Sequence, residues 1–119
     1  MKKTLVLGAS DNPSRYSFMA VQLLHSKGHE VEAVGKKAGV IDDVMIHKPP
    51  HACESIDTVT LYLNPDHQKD YYDYIIALQP QRVIFNPGTE NEELQHLLDK
   101  NGIDYLEACT LVMLQTGQY

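Results

Sequence analysis

The chain has 119 residues, 43% of them apolar and 22% charged, and we expect a single domain over residues 1–119. The formal net charge is −6, from 16 acidic and 10 basic residues. This argues against general binding to nucleic acid or anionic membranes, because both depend on clustered Lys and Arg. The apolar run after Met1-Lys2-Lys3-Thr4 is too short for a signal peptide, and no run could span a bilayer. Cys53 and Cys109 lie far apart, so we expect a reduced cytoplasmic protein.

Short apolar runs alternate with helical patterns along the chain. Strands are predicted at Thr4–Leu7, Val31–Val34, Thr58–Leu63, Arg82–Phe85 and Ile103–Leu106, with a weaker segment around Val40–Ile46. Helices are predicted at Phe18–Lys27, at Asp66–Leu78 with Asp66 as the cap, and at Asn91–Lys100 with a capping box of Thr89 and Glu92. This order predicts an α/β fold, a Rossmann-like three-layer sandwich with a mainly parallel sheet.

In an open parallel sheet, ligands bind beyond the carboxyl ends of the strands. That rule selects four polar segments: 8–17, 35–39, 64–67 and 86–91. We therefore expect a binding site at this edge, built from these segments.

The first segment has one glycine where a dinucleotide signature has three. Gly8 allows a tight turn, and the helix start beyond it offers free N–H groups to a phosphate. Arg15 adds a planar cation suited to phosphate, and hydroxyl or amide groups are supplied by Ser10, Asn12, Ser14 and Ser17. The alternative is that Asn12 and Ser17 only cap the turn and helix while Arg15 faces water.

The second segment reads Gly35-Lys36-Lys37. An NAD-binding domain would place an acidic residue at the end of this strand, whereas Glu32 lies inside it. Two lysines there favour a nucleotide with a phosphorylated ribose, such as coenzyme A (CoA) or, less favoured, NADP. The alternative is a solvated lysine pair.

Several motifs resemble those of small stand-alone CoA-binding domain proteins, which are similar to the N-terminal domain of the succinyl-CoA synthetase alpha subunit. The resemblance covers residues 3–112 and rests on GASDNPSRYS at 8–17, HSKGHEV at 25–31, PGTENEE at 87–93, and NGID at 101–104 before a Cys. It implies a Rossmann-like domain that binds CoA at the strand ends.

The resemblance also implies roles for individual residues. The diphosphate would be held by Gly8, Ala9, Ser10, Asn12 and Arg15. Gly35 and Lys36 would lie along the adenosine, and the pantetheine arm or adenine edge would be flanked by Asn64, Pro65, Pro87 and Gly88. The chain departs from the family pattern at Gly35-Lys36, usually Asn-Pro, at 41–50, where a Tyr-Pro-Ser-Leu stretch is missing, and at 61–63, which lacks a usual Phe-Arg.

No catalytic residue is predicted. The six histidines are scattered over helices, a strand start and loops, and no metal site is predicted. We expect a non-catalytic CoA or acyl-CoA binding module, a sensor or accessory subunit. The alternative is a small NADP-dependent or thiol-active enzyme using Cys109 or His67. A protein partner, or self-association through an aromatic patch, is a further expectation that rests on Tyr71, Tyr72 and Tyr74.

Overall fold

Two uninterrupted buried runs form the centre of the sheet. Thr4–Leu7 (β1) and Thr58–Leu61 (β5) are buried at every position, as expected for strands covered on both faces. The computed structural model describes residues 1–119. The other strands are Val31–Val34 (β2), Gly39–Ile41 (β3), Val44–His47 (β4), Arg82–Phe85 (β6) and Asp104–Glu107 (β7).

The seven strands lie in the order β3-β4-β2-β1-β5-β6-β7. All neighbours are parallel except β3 and β4, which form an antiparallel hairpin at one edge. In the centre, Leu7 is in register with Val34 on one side and Leu61 on the other. The strand ends of β1, β2 and β5 are therefore level, and the segments that follow them start side by side.

Helices cover both faces of the sheet. They are Tyr16–Ser26 (α1), Pro65–Gln68 (α2), Tyr72–Leu78 (α3), Glu92–Lys100 (α4) and Thr110–Gln115 (α5), with a 3-10 turn at Lys69–Tyr71 between α2 and α3. One core contains Leu94 and Leu98 of α4 together with Ile75 of α3. The second core, on the opposite face, contains Leu24 of α1 and Leu114 of α5. None of the helices is long and apolar enough to cross a membrane.

This three-layer arrangement confirms the predicted Rossmann-like α/β fold with a mainly parallel sheet. The weak segment at 40–46 is the β3–β4 hairpin, and the sequence interpretation missed α5 altogether. The helix predicted over 66–78 is interrupted at 69–71.

Both predicted caps were wrong. Asn64, not Asp66, caps α2, since its side chain accepts from the His67 amide. Asn91 caps α4 by accepting from Leu94, whereas the Thr89 hydroxyl donates to the Asn86 carbonyl. In both helices the asparagine immediately before the first helical residue is the residue whose side chain reaches a free amide of the first turn.

Candidate functional site

The order of strands reverses between β1 and β5. From β1 the chain moves to β2 and β4 on one side, and then crosses to β5 and β6 on the other. This is the switch point at which doubly wound sheets form a crevice beyond their carboxyl ends. All four segments selected from the sequence lie at this edge, which we call the carboxyl edge.

Backbone hydrogen bonds join the segment after β1 to the end of β2, and the segment after β2 to the end of β4. The amides of Gly8 and Ala9 both donate to the Val34 carbonyl at 2.9 Å, and the Gly35 amide donates to the His47 carbonyl at 3.0 Å. A Cβ on Gly35 would overlap the Ala9 carbonyl oxygen. The amides of Gly8, Ala9 and Gly35 are therefore used in hydrogen bonds within the chain, and these residues fix the shape of the crevice rather than donate to a ligand.

Within the first loop, polar side chains bond to the loop itself. The Asn12 Oδ1 accepts from the amide and the hydroxyl of Ser14, at 3.0 and 2.8 Å. The Ser10 Oγ accepts from the Asn12 amide at 3.1 Å. Ser10, Asn12 and Ser14 therefore hold the loop in shape, while Asn12 and Ser14 remain exposed to a ligand.

Helix α1 begins without a side-chain cap. Arg15 occupies the capping position in an extended conformation, and the first turn contains no acidic residue. The N–H groups of that turn, with the positive end of the helix dipole, are left free to bind an anion. Ser17 does not cap the helix, and at 4% exposure its hydroxyl is not on the crevice surface.

Three cations lie on the loops of β1 and β2. Arg15, Lys36 and Lys37 are all exposed, and none forms an ion pair within the chain. The protein carries a net charge of −6, so these unpaired cations give this part of the carboxyl edge a local charge opposite to the rest.

The loops after β5 and β6 form the other side of the crevice. Asn64 is exposed and caps α2, and Pro65 is half-buried at the first helical position. Pro87 and Gly88 are exposed, and the Gly88 amide donates to the Glu90 carboxylate at 2.9 Å. The structure thus brings these residues to the predicted edge.

A buried amide network supports these two loops, and sequence reasoning missed it. Asn86 donates to the Thr60 hydroxyl at 2.7 Å and to the Leu61 carbonyl at 2.9 Å, and its Oδ1 accepts from the Thr110 amide at 2.9 Å. These bonds join the ends of β5 and β6 to the start of α5. The position of Asn86 directly after a buried strand could have indicated the network, because a buried amide needs hydrogen-bond partners.

Gln68 extends the same network. It is fully buried and donates to the carbonyls of Leu63 and Thr89, each at 2.8 Å. Its Oε1 accepts from Asn91, which also caps α4. The loops 62–64 and 86–91 are therefore fixed to one another by side chains beneath the crevice.

The two residues of the alternative enzyme hypothesis lie on separate elements. His67 is exposed on α2, and Cys109 is half-buried in the residue before α5. Neither side chain makes a hydrogen bond. Cys109 lies near Tyr62, whose pKa is raised first by burial and then by this neighbouring thiol.

The tyrosines considered for self-association are not an exposed patch. Tyr71, Tyr72 and Tyr74 are half-buried and pack against the core beside α3 and α4.

A group of possible metal ligands lies on β2, on β4 and on the loop after β4. Glu32, His47 and His51 each place a ligand atom within 4.8 Å of the others. No metal site was predicted, since the histidines appeared scattered along the sequence. His47 and His51 are four residues apart, but a strand end and a loop bring them together rather than a helix.

The reversal of strand order and the polar loops at the strand ends define a doubly wound α/β protein of the Rossmann-like class. Residues 2–115 match a family described as a CoA binding domain, and the chain belongs to this family.

Solved structures agree with this assignment of fold. A crystal structure of an uncharacterized protein is 50% identical with a TM-score of 0.96, covering 100% of this chain and 98% of that one. Cell-free ID.343 from Thermus thermophilus is 21% identical, with a TM-score of 0.86 and coverage of 99% and 90%. A conserved hypothetical protein from Pyrococcus furiosus is 25% identical, with a TM-score of 0.82 and coverage of 94% and 98%. No curated protein matches the chain.

Proposed function

We propose that this protein is a non-catalytic CoA or acyl-CoA binding module of residues 1–119, acting in the cytoplasm as a sensor or accessory subunit. One observation carries the proposal, in a chain of the CoA binding domain family: the uncapped start of α1 has Arg15 beside it, and the unpaired Lys36 and Lys37 lie on the loop after the neighbouring strand β2. A ligand with several phosphates matches this surface, and a purely neutral ligand would leave it unused.

The ligand's diphosphate would lie over the first turn of α1, bound by free N–H groups and by Arg15. Asn12 and Ser14 have exposed polar groups beside that turn, while Gly8 and Ala9 shape the loop and Ser17 is buried. The ribose phosphate would lie against Lys36 and Lys37, and the pantetheine arm would pass between the Asn64-Pro65 and Pro87-Gly88 loops.

A non-catalytic role is supported by the surroundings of the two reactive candidates. A thiol or imidazole nucleophile is activated by a neighbouring base or a lowered pKa, and neither Cys109 nor His67 has such a hydrogen-bonded partner. Tyr62, the group near Cys109, has a raised pKa and so offers no base at neutral pH.

Calorimetric titration with CoA, dephospho-CoA, NADP and NAD tests the proposal. CoA should bind most tightly, and Arg15→Ala should weaken CoA by about 1–3 kcal/mol, or roughly 5- to 150-fold. Lys100→Ala, an exposed lysine at the end of α4, is the matched control and should leave affinity unchanged.

A double variant separates the two phosphate contacts. Lys36→Ala with Lys37→Ala should weaken CoA but leave dephospho-CoA nearly unaffected, because only CoA carries the ribose phosphate. Equal losses for both ligands would contradict the lysine assignment. If the wild-type protein did not bind CoA, the proposed function would be overturned. An enzymatic turnover of CoA or NADP by the wild type that is lost in Cys109→Ser would favour the thiol-active enzyme.

A further inference from the structure

Glu32, His47 and His51 share one face of the sheet for a reason of register. His47 at the end of β4 pairs with Val34 of β2, and Glu32 lies two residues before Val34. Alternate residues of a strand point to the same face, so the Glu32 and His47 side chains lie on the same side. The loop after β4 brings His51 to Glu32.

His51 is held above this pair by the loop. The Tyr74 hydroxyl donates to the His51 carbonyl at 2.7 Å and so fixes the backbone there. The rings of His47 and His51 stack with centroids 3.9 Å apart and an interplanar angle of 5°. Glu32 Oε1 lies 2.9 Å from Nε2 of His51. One possible ligand atom of each of the three side chains therefore lies within 4.8 Å of the other two.

The group is open to solvent on one side. Glu32 and His47 line a cleft of about 420 Å³ at the amino end of β2, together with two further carboxylates, Glu30 and Asp43. The side chains of Glu32 and His51 are 24% and 19% exposed, so the site is partly desolvated and yet accessible. A cation can enter, and the acidic lining favours it.

We propose that Glu32, His47 and His51 form a binding site for a divalent transition-metal ion of the Zn²⁺ type. Imidazole ligands select such ions over Mg²⁺ and Ca²⁺, which prefer oxygen ligands throughout. Two histidines and one glutamate leave a coordination position for water or an exogenous ligand, as in open zinc sites.

Binding requires two local changes. The stacked rings open slightly, so that one nitrogen of each points to the ion. His51 must also adopt the tautomer protonated at Nδ1, because the ion needs the lone pair of the Nε2 atom that now lies 2.9 Å from Glu32 Oε1. Lys3 opposes binding, since its Nζ lies 4.0 Å from Glu32 Oε2.

The test is calorimetric titration of tag-free, EDTA-treated protein with ZnCl₂ in the absence of nucleotide. One ion should bind per chain, and His47→Gln, His51→Gln and Glu32→Gln should each lower affinity at least about 10-fold. His96→Gln, an exposed histidine on α4, is the control and should change nothing. Wild-type protein that binds no Zn²⁺, or equal affinities for His47→Gln and His96→Gln, would overturn the site.

Two further measurements distinguish coordination from loose surface attraction. Co²⁺ bound by wild-type protein should show the visible ligand-field bands of an imidazole-ligated ion, and His47→Gln should lose them. Lys3→Ala should bind Zn²⁺ more tightly because a neighbouring cation is gone. Absence of the bands, or weaker binding by Lys3→Ala, would contradict the proposal. None of these outcomes depends on CoA binding.

Discussion

Replacing Asn86 by alanine tests whether the carboxyl edge is held by its buried amides. Asn86 is 3% exposed, and its side chain makes three hydrogen bonds, to Thr60, Leu61 and Thr110. Alanine removes all of them and leaves the Thr110 amide, at the start of α5, without its partner. The Thr60 and Thr110 hydroxyls keep their mutual bond at 2.8 Å.

The expected loss follows from these contacts. Each hydrogen bond contributes about 1 kcal/mol net, which gives roughly 3 kcal/mol for Asn86→Ala. Folded domains have a total stability of about 5–15 kcal/mol, so this is a large fraction. Urea unfolding followed by circular dichroism measures the change as a shift of the midpoint at constant slope.

Asn101→Ala is the matched control. Asn101 is exposed, and its side chain makes one hydrogen bond, to the Leu97 carbonyl at 2.8 Å. We expect its unfolding free energy to stay within about 0.5 kcal/mol of the wild type. If Asn86→Ala cost no more than Asn101→Ala, the buried network would not be what fixes the strand ends.

Two other predictions concern the backbone and pH. Gly8→Ala should lower the free energy of unfolding by about 2–4 kcal/mol, because φ at Gly8 is +97° and a Cβ would lie 3.0 Å from the Tyr62 carbonyl carbon. Gly102→Ala is the control: φ there is +68° but the space is open, so the same urea experiment should show a loss of only about 1 kcal/mol. Equal costs would show that crowding at Gly8 is unimportant. Burial, followed by nearby positive charges, lowers the pKa of His29 below 6.5, and its Nδ1 accepts from the Lys2 amide. As the pH drops through 6.5, the His29 imidazole is therefore protonated first in the unfolded chain, and the stability of the folded protein falls. His29→Gln should reduce the drop in melting temperature between pH 7.5 and 5.5. An unchanged drop would contradict the lowered pKa of His29.

Local patterns in the sequence predicted the parallel core well. The short runs of β-branched residues and leucine at β1 and β5 indicated strands, and the four loops at the carboxyl edge followed from that assignment. Helix α5 was missed because its six residues are too few to show a 3.6-residue period. The β3–β4 hairpin was read as one weak segment because Asp42, its turn residue, adopts a positive φ of 51° without glycine.

The candidate site was less predictable because its support depends on distant contacts. Gln68 and Asn91 are 23 residues apart in sequence, and their side chains meet only because the chain between them forms β6 and returns to the same edge of the sheet. The metal ligands depend likewise on the register of β2 with β4, which no local pattern specifies. Arg15 and the two lysines could be selected as candidates from the sequence because charge and position after a strand are local properties.

The amides beneath the crevice have a consequence for how binding can be read. Asn86, Gln68 and Asn91 carry no charge at any physiological pH, and none of their partners titrates near neutrality. The scaffold of the crevice thus keeps its shape when acidity or ionic strength changes. If the proposed CoA complex forms, any dependence of its affinity on salt will report on the exposed cations and the phosphates of CoA, with the loops acting as a fixed frame.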